Sequence, residues 1–172
     1  MHALLKKLEG GDRRSIGESE QVVVEVLADP SLFAIVFEGM LDDNPLIRMR
    51  CADAVEKITV AHPEYLRLYK ARLIKQVAQV DQQEVRWHVA QLVSRIKWTP
   101  KERRVIAGIL TDYVKDKSKI VKTFSMQALA DIAEQDVDLR RSIISQLEEL
   151  TRTGSPAMKS RGRKLLARLE SK

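Results

Sequence analysis

Apolar residues recur along this chain at helical rather than strand spacing, and the same arrangement returns four times. Residues 44–58 (NPLIRMRCADAVEKI), 82–96 (QQEVRWHVAQLVSRI), 118–132 (SKIVKTFSMQALADI) and 155–169 (SPAMKSRGRKLLARL) align without a gap. Their apolar anchors, Ile47, Val85, Val121 and Met158, lie 38, 36 and 37 residues apart. Counted from the anchor, positions +4, +7, +8 and +11 read Cys51, Ala54, Val55, Ile58; Val89, Leu92, Val93, Ile96; Ser125, Ala128, Leu129, Ile132; and Gly162, Leu165, Leu166, Leu169. That spacing marks one face of an α-helix. Ser125 and Gly162 depart from it with small side chains that let neighbouring helices approach. A second apolar register, Val36, Ile74, Leu110 and Leu147, runs 11 residues ahead of the anchors and predicts a first helix for each unit.

Helix-start chemistry marks the boundaries. All five prolines, Pro30, Pro45, Pro63, Pro100 and Pro156, suit the first helical position, where a missing N–H costs nothing. Asp29, Asn44, Thr99 and Ser155 before them are good N-caps, and Asp81 with Glu84 predicts a cap for the helix near 82–97. The pattern predicts an all-α chain with helices near 31–42, 44–60, 63–79, 82–97, 100–115, 118–134, 138–152 and 156–170. Residues 1–29, with a helix near 18–28, form an N-terminal cap, and the hairpins occupy about 30–60, 63–97, 100–134 and 138–170 of one domain.

An apolar anchor, a cation and then alternating small and aliphatic residues, paired with a preceding amphipathic helix, resemble HEAT and HEAT-like repeats over about residues 30–170. The resemblance implies a right-handed α-α superhelix, or solenoid, of about four hairpins whose second helices line a concave face. It also implies that the cations after the anchors, Arg48, Arg86 and Lys122, join a stacked ladder with Asp42 and Asp43, Asp81, and Asp116. Lys159 has no acidic residue just upstream.

Composition narrows the class. The chain is 44% hydrophobic and 31% charged, which fits neither a disordered tail nor a membrane protein. Its longest apolar run, residues 32–37, is far short of the ~20 residues a bilayer span needs. One cysteine, Cys51, and a start without a leader's pattern suggest a reducing, cytoplasmic setting. The net charge of +6 is uneven: residues 1–62 sum to −4, residues 63–151 to +4 and residues 152–172 to +6. A basic end is either a solvated terminal helix or a contact for nucleic acid or an acidic protein.

Catalytic patterns are missing. His2, His62 and His88 form no metal-ligand spacing, and neither a nucleophile elbow nor a phosphate-cradling glycine loop is present. Cys51 falls on the buried stripe, and the paired carboxylates lie at helix ends. No enzymatic activity, cofactor or metal is expected. The irregular segment at residues 10–17 (GGDRRSIG) is either a linker that folds the first helix back or, through Arg13 and Arg14, an anion site.

The remaining candidate chemistry is recognition. Positions +2, +3, +6 and +10 of the second helices lie off the buried stripe, on the side that the resemblance makes concave. In the first three repeats they include Met49, Arg50 and Asp53; Trp87, His88, Gln91 and Arg95; and Phe124, Gln127 and Asp131. Exposed rings beside amides match the composition of interface hot spots. Alternatively, stacking buries Trp87 and Phe124, and Arg95 and Asp131 pair with each other across repeats. The expected function is a protein-binding scaffold module, acting as a monomer or in a hetero-complex, with no membrane partner. The alternative is a nucleic-acid binder related to HEAT-like DNA-repair proteins.

Overall fold

The computed structural model describes residues 2–12 and 14–171. These form ten α-helices and three 3-10 segments, with no strand among the described residues. The helices are α1 (Ala3–Lys6), α2 (Ser19–Ala28), α3 (Phe33–Gly39), α4 (Pro45–Ala61), α5 (Lys70–Lys75), α6 (Gln83–Val93), α7 (Pro100–Tyr113), α8 (Lys119–Gln135), α9 (Val137–Thr153) and α10 (Pro156–Glu170). The 3-10 segments are Pro30–Leu32, Pro63–Tyr69 and Val77–Gln79. The chain divides into two compact units, Met1–Ile96 and Lys97–Lys172, at the boundary between the second and third sequence repeats.

In the first unit α4 is the central helix, packed by α2, α3 and α6. Its stripe Ile47, Cys51, Ala54, Val55 and Ile58 is completely buried, and so are Ala52 and Thr59 on other faces. A helix that buries this much of its circumference behaves as a core element. In the second unit α8 plays the same part against α7, α9 and α10. The anchors Val85, Val121 and Met158 are buried, as are the first-helix positions Val36, Ile74, Leu110 and Leu147. Each buried aliphatic side chain contributes roughly 1.5–3 kcal/mol. Leu166 alone of the apolar stripe residues is only half-buried.

Gly162 has a steric role. A Cβ there would meet the Thr151 Oγ1 at 1.9 Å, so α10 lies on α9 closer than any side chain allows.

Every proline stands at the start of a helical segment. Asn44 accepts from the Leu46 N–H at 2.9 Å, Asp29 from Ser31 at 3.1 Å, and Thr99 with Glu102 forms a full capping box. Each such cap contributes about 1 kcal/mol. Asp81 does not cap α6. It pairs with Arg86 at 3.0 Å, and Gln82 takes the cap position without a side-chain cap bond. The Gln82 amide is committed elsewhere, accepting from Arg48 Nε at 2.8 Å and donating to the Pro45 carbonyl at 2.9 Å.

Two other expectations change. Arg48 donates to the backbone carbonyls of Asp42 and Asp43, at 2.7 and 3.2 Å, rather than to their carboxylates, and the Asp42 carboxylate caps the Asn44 N–H. Asp116 accepts from the Ser118 N–H at 2.7 Å. The continuous helix expected over residues 63–79 is instead a 3-10 segment, α5 and a second 3-10 turn. Leu66 is buried and Tyr69 joins a ring cluster with Phe33 and Phe37, at 5.5 and 4.4 Å. Those residues are three apart, the repeat of a 3-10 turn. At the second break the Gln79 amide donates to the freed Ile74 carbonyl at 3.3 Å.

Candidate functional site

In the first unit, α4 and α6 pack side by side. Met49, Arg50 and Asp53 of α4 and Glu84, Trp87 and His88 of α6 line a cavity of about 300 Å³, which Arg14, Ser15 and Ile16 close from the N-terminal segment. Five of the ten expected recognition residues, Met49, Arg50, Asp53, Trp87 and His88, are thereby brought together.

Their exposure differs from the sequence expectation. Arg50, expected on a wet face, is 1% exposed. Its guanidinium donates to four backbone carbonyls of the preceding segment: Nη1 to Leu8 and Gly10 at 2.7 and 2.6 Å, Nη2 to Asp12 at 3.1 Å, and Nε to Ser15 at 3.1 Å. Backbone dipoles thus replace the water that a buried cation loses. The segment can curl this tightly because Gly10, Gly11 and Gly17 hold φ of +75°, +74° and +58°. At Gly17 a Cβ would also lie 3.0 Å from the Arg50 Cζ. The carbonyls of Leu8, Gly10, Asp12 and Ser15 therefore form a strap that holds one of the chain's own cations. Of the two arginines weighed as an anion site, Arg14 is exposed and Arg13 lies outside the described residues.

His88 and Met49 are also buried rather than presented. The His88 Nδ1 donates to the Glu84 carbonyl one turn earlier, at 2.6 Å. Its Nε2 then accepts from the Trp87 indole N–H at 3.3 Å, which fixes the neutral tautomer. Burial holds the imidazole below its usual 6.5, with the Glu84 carbonyl opposing. Trp87 is half-buried, its N–H tied to His88, so its ring surface is what it offers the cavity. Asp53 Oδ2 accepts from Ser19 Oγ at 2.5 Å and pairs with Lys57 at 2.9 Å.

One turn farther along, Arg95 forms an ion pair with Glu56 and donates to Thr59 Oγ1 at 2.7 Å, while Gln91 reaches Glu56 at 3.5 Å. Asp131, with which the stacking alternative paired Arg95, bonds Arg168 at 2.8 Å in the second unit. There Gln127 donates to Asp131 at 3.0 Å and accepts from Arg161 at 3.1 Å, and Phe124 is half-buried. These groups hold helices to one another and leave little free polarity. Cys51 is completely buried, and burial pushes its thiol well above the usual range, which suits packing rather than nucleophilic attack.

The sequence reading missed Glu84 and the strap wall. The three glycines around residues 10–17 were the signal, because such a segment can wrap a side chain as readily as it can link two helices. Among the described residues no helix is long and apolar enough to cross a membrane. No family model and no curated protein matches this chain.

Proposed function

We propose that this chain is a non-catalytic, HEAT-like module that binds a segment of a partner protein across the helix face carrying Trp87. The four-fold register supports the solenoid reading: helix pairs that repeat at a near-constant period bury their apolar faces by stacking and leave their second helices to recognition. One observation carries the functional reading, the cavity of about 300 Å³ walled by the half-buried Trp87 together with Met49, Asp53 and Glu84. A mostly apolar recess with a few polar groups around a rigid ring is the form that anchor pockets take at interfaces. The reading is tested by placing a photo-crosslinking residue at position 87 in cells and measuring the captured protein's affinity in purified form. Trp87→Ala is expected to weaken that binding at least about thirtyfold, an anchor-sized loss of ~2 kcal/mol, and to leave the melting temperature within a few degrees. Partner binding that ignores Trp87 overturns the reading.

A nucleic-acid contact has one observation in its favour, the exposed Lys159, Arg163 and Lys164 on α10. Arg161 and Arg168 of the same helix are already engaged by Gln127 and Asp131, which shortens the basic surface. Steep loss of binding with salt would mark that mode.

A further inference from the structure

Resting on that reading, we propose that the Trp87 cavity receives a cationic side chain, arginine or lysine, from the partner segment. Its charged end lies between Glu84 and Asp53 and its stem against Trp87 and Met49.

Two of the lining donors are engaged within the fold, and the exposed Arg14 and the Ser15 hydroxyl also line the cavity. Arg50 has given four N–H groups to the strap carbonyls, and the Trp87 N–H is held by His88. His88 contributes no positive charge, since its Nδ1 donates to a carbonyl and its Nε2 accepts. The acceptors are not spent. A carboxylate has about four lone-pair sites. The Asp53 bonds to Ser19 and Lys57 both fall on Oδ2, leaving Oδ1. Among the described residues Glu84 receives only the Gln83 amide, at 3.3 Å on Oε1, leaving Oε2. The lining thus holds two carboxylates, each with an oxygen left, and an aromatic ring, groups that accept N–H donors and favour a cation against the charges of Arg50 and Arg14. A volume of about 300 Å³ sits at the low end for ligand sites, which suits one long side chain rather than a whole cofactor.

Arg14 is the chain's own competitor. It is exposed on the strap yet lines the same cavity, so its charge opposes an incoming cation. This gives the proposal a sign that a merely structural site would not show. Removing Arg14 must strengthen cation binding, whereas it must weaken the binding of an anion.

The test uses the full chain and four acetylated, amidated pentapeptides, glycines around a central Arg, Lys, Glu or Leu. The readout is the Trp87 indole N–H resonance, assigned by its loss in Trp87→Phe. The Arg and Lys peptides are expected to shift that resonance saturably, and the Glu and Leu peptides are not. Glu84→Gln, which keeps shape and removes charge, is expected to weaken the Arg peptide at least about tenfold, as for loss of a hydrogen bond to a charged group. Arg14→Ala is expected to tighten it severalfold. A Glu peptide that binds more tightly than the Arg peptide, weakening by Arg14→Ala, or no shift from any peptide at millimolar concentration would each overturn the proposal. The two readings fail separately. A crosslinked partner that needs Trp87 but binds Glu84→Gln unchanged refutes the cation and leaves protein recognition standing; one that needs neither refutes both.

Discussion

Arg50 and His88 are polar residues on the side of the helix that faces away from the apolar stripe, and both are buried. Helical periodicity specifies which way a side chain points relative to its own helix, not what another segment lays over it. For Arg50 the covering segment ends about 35 residues earlier, at Ser15. No local pattern carries that distance, so the exposure of Arg50 was not legible, whereas the complete burial of Ile47 and Cys51 was. His88 leads to a pH dependence. Burial lowers its folded-state affinity for a proton, so below the usual 6.5 the unfolded chain takes up a proton before the folded chain does. The His88 contribution is therefore fully present above pH 6.5 and is lost as pH falls from there toward the lowered folded value. Urea midpoints measured at pH 7.5 and 5.5 are expected to fall for the native chain. They should fall less for His88→Gln, whose amide can both donate and accept without titrating in this window. An equal decline in both proteins would show that His88 does not carry the effect.

At the scale of elements, the sequence was most informative where a single residue type has one physical use. Proline at the first helical position and Asn, Thr or Ser just before it located the starts of α4, α7 and α10 to within a residue. It was least informative over residues 63–79, where the apolar spacing fits an α-helix but Leu66 and Tyr69, three apart, turn inward together on a 3-10 segment. The α9–α10 pair gives the sharpest element-level prediction. Gly162→Ala gains roughly 1 kcal/mol in helix propensity, yet its methyl would stand 1.9 Å from the Thr151 Oγ1, a hydroxyl already donated to the Leu147 carbonyl at 2.6 Å. The clash is expected to win, with a net loss of about 1–3 kcal/mol, the usual cost of overpacking. Thr151→Ala should restore part of that loss in the double variant, because it removes the nearest atom, and the non-additivity is read from a double-mutant cycle in urea. Additive losses would mean that the two positions do not meet.

For the whole molecule, the informative fact is that contacts divide the chain at residue 96, in the middle of a four-fold sequence register. Repeats legible as equivalent in sequence are thus grouped in twos, each pair around one heavily buried second helix, α4 or α8. Periodicity could not reveal that grouping, since it treats every neighbour alike. The second unit consists of α7–α10, and α10 packs on both α8 and α9. Its buried Met158, Leu165 and Leu169 face a unit whose α9 contributes only Ile143 and Leu147 as fully buried side chains. Acidic pH should weaken this unit independently of His88. Arg103 bonds Asp136 at 2.8 Å and holds its carboxyl below the usual 3.8, so that contribution is present above pH 3.8 and is lost as pH falls through the lowered value. Deleting residues 155–172 removes α10 and leaves a second unit of roughly 60 residues, a size at which a single core is marginal. It also withdraws Arg161 and Arg168 from Gln127 and Asp131. The truncated chain is expected to lose the ellipticity of α7–α9 in addition to that of the deleted helix, and to aggregate through the uncovered apolar face of α8 and α9. The first unit should keep its own ring packing, so the near-ultraviolet signal of Trp87 should persist. Circular dichroism with sedimentation decides the matter: a soluble, monomeric truncation that melts as the full chain does would show that α7–α9 stand without their last helix.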